Sequence, residues 1–155
     1  MLTANPRHLF SWDYTLVNDG VPIAELDTSS WREKGRLSVS GTTYRMFRER
    51  LFSGAFLLES DGKVLARAEK PGAFTRRIVI DVEGAQLELK PRSIFSRSFQ
   101  LLQGGVVVGS LSPSGLLSRR IDVELPERLP LPIRAFVVWL NVLLWKRDSN
   151  SAGAT

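Results

Sequence analysis

The chain contains no cysteine. That excludes disulfides, thiolate metal sites and a cysteine nucleophile, and it suits a reducing compartment. Histidine is represented only by His8, so carboxylates are the only plentiful metal ligands. No Gly-x-Ser-x-Gly nucleophile elbow occurs, and a lone histidine near the N-terminus is a poor partner for a serine triad. Lysine is sparse, confined to Lys34, Lys63, Lys70, Lys90 and Lys146. Residues 1–10 lack the basic, apolar and small-residue succession of a secretory signal, which makes the cytoplasm the expected compartment. Long apolar runs are absent with one exception, and that run, 135–145, is well short of the roughly 20 residues a spanning helix needs.

What is present is 155 residues of ordinary globular composition, 43% hydrophobic and 24% charged, the length of about one domain. Net charge is +5 and the pI near 10.1, carried mostly by arginine. Arginine's planar fork suits phosphate and carboxylate, so the balance favours anionic partners.

Turn signals recur along the chain: Asn18-Asp19-Gly20, Ser40-Gly41, Ser53-Gly54, Asp61-Gly62, Pro71-Gly72, Glu83-Gly84, Gln103-Gly104-Gly105 and Pro113-Ser114-Gly115. Between them, residues alternate with period two. Ile78, Ile80 and Val82 share one face, as do Leu87 and Leu89, and Ile121, Val123 and Leu125. This is the signature of half-buried antiparallel strands. Further strands are expected near 12–17, 22–27, 36–40, 43–49, 55–60, 63–69, 96–103 and 106–112. Residues 1–9 read as an N-terminal arm, 10–148 as the domain and 149–155 as a disordered tail. No convincing internal repeat or linker is legible.

The run Ala135-Phe-Val-Val-Trp-Leu-Asn-Val-Leu-Leu-Trp145 is apolar nearly all round, with Asn141 the one polar interruption. A helix without a polar face must be buried on every side. The pattern predicts a helix over about 132–147, with Pro132 in its first turn and Lys146 and Arg147 in its last, where cations complement the dipole. An antiparallel closed β-barrel around a buried hydrophobic C-terminal α-helix follows. Small residues at Val64, Ala66, Ala68, Gly109 and Ser110 either leave room inside the barrel or reflect variation in core size.

The order of strands, proline-marked connection and apolar helix resembles the tubby C-terminal-like superfamily, especially its LURP-one-related members. The stretches that carry the likeness are Phe56-Leu-Leu-Glu-Ser-Asp-Gly-Lys-Val-Leu-Ala66, Gly104-Gly-Val-Val-Val-Gly-Ser110 and Phe136-Val-Val-Trp-Leu-Asn-Val-Leu-Leu-Trp145. The resemblance covers about 10–147 and implies a barrel of about 12 strands around the helix. In that superfamily tubby proteins bind phosphoinositides through basic side chains, and scramblases associate with membranes, so function must be argued from sites. No phosphoinositide signature is present, nor are the cysteines that scramblases use for palmitoylation.

Arginines are the strongest chemical feature. Arg45, Arg48 and Arg50 lie among Tyr44, Phe47 and Phe52. Arg76-Arg77 and Arg119-Arg120 open two later strands, and Arg97 follows Lys90 and Arg92. Gathered on one face, they would hold phospholipid phosphates by charge-assisted hydrogen bonds. This would make the chain a non-catalytic module, cytoplasmic and peripheral to the membrane. The competing expectation is a solvated surface, with arginines paired to Glu49, Glu69, Glu88 or Glu124. Other readings are a protein-interaction domain without lipid binding, a small-ligand barrel, or a nucleic-acid binder. The last ranks low, because no RNP, zinc-finger or helix-turn-helix pattern occurs. Asp81 with Glu83, and Asp122 with Glu124, are better explained as wet strand faces than as a cation cage. No metal and no cofactor is expected. Gly105–Gly109 does not open a helix and fails as a dinucleotide loop. Trp31 is an exposed-aromatic candidate. Trp139 and Trp145 are expected to fill the barrel, with Asn141 paired inside it.

Overall fold

In the computed structural model, which describes residues 1–9, 11–28, 33–50, 53–72 and 75–153 (side chains through Ser151), the alternating segments form strands that pair antiparallel in chain order. They are β1 (Leu2–Pro6), β2 (Tyr14–Asn18), β3 (Val21–Thr28), β4 (Gly35–Val39), β5 (Thr42–Arg48) and β6 (Phe56–Ser60). There follow β7 (Lys63–Glu69), β8 (Ile78–Val82), β9 (Ala85–Pro91), β10 (Phe99–Gln103), β11 (Val106–Pro113) and β12 (Ile121–Glu124). β1 pairs with both β2 and β12, and this closes the barrel. Inward positions supply the wall of the core, among them Leu16, Leu37, Leu58, Ile80, Leu89, Leu101 and Val123.

Helix α1 (Leu131–Gly153) runs up the middle. Every residue from Ala135 to Trp145 is buried, as the missing polar face requires. Trp139 stacks on Phe136 at 6.0 Å between ring centroids and meets Phe56 edge-on at 5.9 Å. Small residues in the wall make room for this interior. A β-carbon on Gly35 would come within 2.6 Å of the Trp139 Nε1 and 3.0 Å of the Met46 Cε. One on Gly109 would lie 2.5 Å from the Glu124 carbonyl oxygen and 3.0 Å from Leu125. The thinned strands accommodate the protein's own chain.

Three expectations need correction. Residues 1–9 are not an arm, since Leu2–Pro6 is the strand that closes the barrel. Leu2 and Ala4 point inward, and Ala4 faces Leu16 on one side and Ile121 on the other. The helix continues through 149–153, so that stretch is not a disordered tail, and 154–155 lie outside the described residues. Lys146 and Arg147 consequently sit more than a turn before the helix end. Asn141 is buried, but neither polar atom of its amide has a hydrogen-bond partner among the described residues.

The structure also contains an internal repeat. Register shifts fall at Leu16/Val17, Leu58/Glu59 and Leu101/Leu102, the same place in β2, β6 and β10. Each of these strands opens on a buried aromatic, Tyr14, Phe56 or Phe99. These pair in register with Pro6, Arg48 and Pro91 at the ends of β1, β5 and β9. The units are therefore β2–β5, β6–β9 and β10–β12 completed by β1, which takes the place of a fourth strand although it comes first in the chain. The repeat escapes a linear reading because the last unit is split between the two ends of the sequence.

The two ends of the barrel differ. At one end, Asp19-Gly20, Ser40-Gly41, Asp61-Gly62, Glu83-Gly84 and Gly104-Gly105 have positive φ at both residues. This is the backbone of two-residue hairpins whose twist matches the strands. The longer strand-to-strand loops lie at the opposite end, where the helix emerges at Trp145, while the connection 125–130 from β12 into the helix lies at the hairpin end.

Candidate functional site: the long-loop end of the barrel

Antiparallel pairing carries the loops 7–13, 49–55, 70–77, 92–98 and 114–120 to the same end of the barrel. The arginines singled out in the sequence are gathered there with one exception. Arg48 closes β5, Lys90 lies near the end of β9, and Arg50, Arg76, Arg77, Arg92, Arg97, Arg119 and Arg120 are in or beside the loops. Arg45 is the exception. It sits in the middle of β5 on the side wall, 3.3 Å from Glu59 and over the Phe47 ring. The gathering is a rim around one end rather than a patch on one side. Phe52 and Trp31 lie outside the described residues.

Several of these cations are spent on structure. Arg48 meets Glu33 at 3.1 Å, donates to the Gly54 carbonyl and lies 4.7 Å over Phe56. Arg147, from the helix, grips the same Glu33. Arg76 pairs with Asp148 at 3.0 Å, and Arg77 with Glu88 at 2.7 Å. Glu49 and Glu69 are taken by Arg67, and the Arg67 hydrogen bond is the main cause holding the Glu49 carboxyl below its usual range. The Arg147–Glu33 and Arg76–Asp148 pairs fasten the helix into the barrel mouth. Of the arginines singled out in the sequence, Arg77 alone pairs with one of the expected carboxylates, Glu88, among the described residues, while Arg45, Arg48 and Arg76 take Glu59, Glu33 and Asp148 instead.

A second arginine network laces loop to loop. Arg76 donates to the Ile94 carbonyl at 3.1 Å. Arg97 donates to the carbonyls of Leu116 at 3.2 Å and Ser118 at 2.9 Å. Arg119 donates to the carbonyl of Leu9. Each reaches from one loop to the next around the rim. Two of them also cover tryptophans, with Arg97 4.3 Å above Trp145 and Arg119 4.7 Å above Trp12. Stacking of this kind holds a guanidinium flat over the ring. The Trp145 indole donates to the Arg97 carbonyl at 3.0 Å, and the Tyr14 phenol to the Arg119 carbonyl at 2.9 Å. Burial pushes the Tyr14 phenol above its ordinary value, so it stays a neutral donor.

Trp12, Trp145, Arg97 and Arg119, with Ser149 and the Arg76-paired Asp148, line a cleft of about 660 Å³ whose lip is Leu9, Leu116 and Leu117. No described carboxylate lies within ion-pair distance of Arg97 or Arg119, nor of the exposed Arg50, Arg92 and Arg120. Positive charge on this rim therefore exceeds what the protein itself neutralises. The cleft can receive an anion with an apolar portion.

The acidic pairs do other work. Asp81 accepts the Gly84 N–H at 2.9 Å in its hairpin, and Asp122 accepts the Ser114 hydroxyl at 2.9 Å. No group of three or more metal-ligating side chains occurs among the described residues. His8 is exposed in the β1–β2 loop. Among the described residues no helix is long and apolar enough to cross a membrane.

Sequence reasoning missed the apolar loop tips. Leu9, Ile94, Phe95, Leu116 and Leu117 are exposed, the last three by 93%, 95% and 96%. Their signal was present as a pair of apolar residues before a serine, bounded by arginine. In comparison with known proteins, no family model, no curated protein and no solved structure matches the chain.

Proposed function

We propose that this protein is a non-catalytic barrel module of the tubby-like, LURP-one-related type that associates with anionic phospholipid headgroups, on the cytoplasmic side and peripheral to the membrane. One observation carries the reading: arginines from separate loops gather at one end of the barrel, and several of them have no carboxylate of their own. A lone exposed arginine is ordinary, but a rim whose cations are only partly compensated has a direction. The hairpin turns at the other pole carry Asp61 and Glu83, which an anionic surface repels, while Asp19 there is paired with the N-terminal ammonium and Arg128 lies in the nearby connection to the helix. The resulting field favours approach of the long-loop end. The closed barrel and its filled interior also support a docking module, because the helix occupies the space a substrate cavity would need.

Each basic residue near an anionic leaflet contributes about 1 kcal/mol, screened beyond a Debye length. Arg92 and Arg120 are exposed, and no described side chain pairs with them as a carboxylate. Replacing both by alanine should leave the fold intact and weaken binding to vesicles of phosphatidylcholine with phosphatidylserine by about thirty-fold. Sedimentation at physiological salt measures this. Equal recovery of the parent protein on purely neutral and on anionic vesicles would refute the reading.

A further inference from the structure

We infer that the long-loop end penetrates the bilayer, with Ile94-Phe95 and Leu116-Leu117 seated below the headgroups of an anionic membrane. The inference rests on the proposed lipid association and adds the part of the molecule that enters the apolar layer. Four loops of this end share one construction. Ser11, Thr75, Ser96 and Ser118 each accept, through the side-chain hydroxyl, the backbone N–H two residues on, at 3.2, 3.1, 3.0 and 3.1 Å. In the sequence the hydroxyl residue follows an apolar pair each time: Leu9-Phe10, Ala73-Phe74, Ile94-Phe95 and Leu116-Leu117. Ser53 follows Leu51-Phe52 in the same way.

Where these pairs are described they point outward, and their exposure is built in. The first apolar residue of three loops, Leu9, Ile94 and Leu116, has its carbonyl held by an arginine from the preceding loop around the rim. A loop pinned at that carbonyl cannot fold its side chains back onto the barrel. These three loops join β1 to β2, β9 to β10 and β11 to β12, so they occupy neighbouring positions on the closed sheet.

The geometry distinguishes a bilayer from a protein partner. The tips stand on distinct loops, those of Leu9 and Leu116-Leu117 at the mouth of the Trp12–Trp145 cleft, with arginine at their bases. Apolar points ahead of cationic bases match the order of layers in an anionic leaflet, acyl chains beneath phosphates. Arg92, Arg97, Arg119 and Arg120 flank the two described pairs, with no described carboxylate at ion-pair distance. The charge that would meet the phosphates is thus left over by the fold.

Because the chain has no cysteine, a single introduced thiol gives one labelling position. Phe95→Cys and Leu117→Cys, each carrying an environment-sensitive fluorophore, are compared with Asp61→Cys at the hairpin end. Vesicles are phosphatidylcholine with phosphatidylserine, and quencher groups are placed on the acyl chains. The expected result is a blue shift and acyl-chain quenching at 95 and 117, with neither at 61. The unlabelled variant Phe95→Ser with Leu117→Ser should lose at least about ten-fold in vesicle binding, because two large apolar side chains no longer leave water. Protein that co-sediments with the vesicles while 95 and 117 remain unshifted would overturn insertion and leave headgroup association standing. No co-sedimentation with any vesicle would overturn both, and would turn the tips towards a protein partner.

Discussion

Asn141 is the clearest single residue through which to test the interior. Its side chain is buried in the middle of the helix, and neither amide atom has a hydrogen-bond partner among the described residues. A buried polar group left unpaired costs about 1–3 kcal/mol. Leucine has the same number of side-chain heavy atoms and branches at the same carbon, so it removes the polarity without opening a cavity. Asn141→Leu should therefore raise the unfolding free energy by about 1–3 kcal/mol, read from chemical denaturation. An unchanged or lower value would show that the amide is satisfied in solution. The sequence displayed Asn141 as the one polar interruption of an apolar helix. It did not display the absence of a partner, because pairing depends on which wall residues face it across the barrel. The same limit applies to Arg76, Arg97 and Arg119. Their charge is plain in the sequence, but their acceptors are backbone carbonyls on other loops, which no residue identity reveals.

Among the elements, the two-residue hairpins were legible and the first strand was not. Glycine in a turn announces positive φ wherever it falls, and alternation between turns does the rest. β1 has only Leu2 and Ala4 as inward positions before Pro6, too short a pattern to register. One of its two neighbours, β12, comes from the far end of the chain. Its strand character is a property of the closed sheet. The hairpins also contain a weak point. Four of them place Asp19, Ser40, Asp61 or Gly104 at the first left-handed position, whereas β8–β9 uses Glu83 at φ +50°. A long side chain there pays a steric penalty that asparagine largely avoids. Glu83 is exposed, so little packing is lost on replacement. Glu83→Asn is expected to stabilise the protein by about 0.5 kcal/mol, visible as a higher thermal midpoint. A lower midpoint would mean that the Glu83 side chain makes a contact outweighing its backbone strain.

At the scale of the molecule, the question is whether the central helix can leave the barrel for a membrane. Its length and apolar character alone would permit shallow embedding, but its surroundings do not. Phe136, Val137, Val138, Trp139, Leu140, Val142, Leu143 and Leu144 are all buried, and each is worth about 1.5–3 kcal/mol when fully removed from water. Withdrawal would also strip the partners from the inward residues of the wall. The total is on the order of the whole stability of a domain, about 5–15 kcal/mol, or larger. Arg147 with Glu33, Arg76 with Asp148 and Trp145 with Arg97 close the exit from the loop end. Withdrawal and unfolding are then one event. Amide exchange within Phe136–Leu144 should occur only through global opening, with the same free energy that denaturant unfolding gives. Binding to anionic vesicles should leave that protection intact, because the membrane meets the rim and its loops while the helix stays enclosed. Selective loss of helix protection on vesicles, with the strands still protected, would show that the plug moves and that the barrel holds together without it.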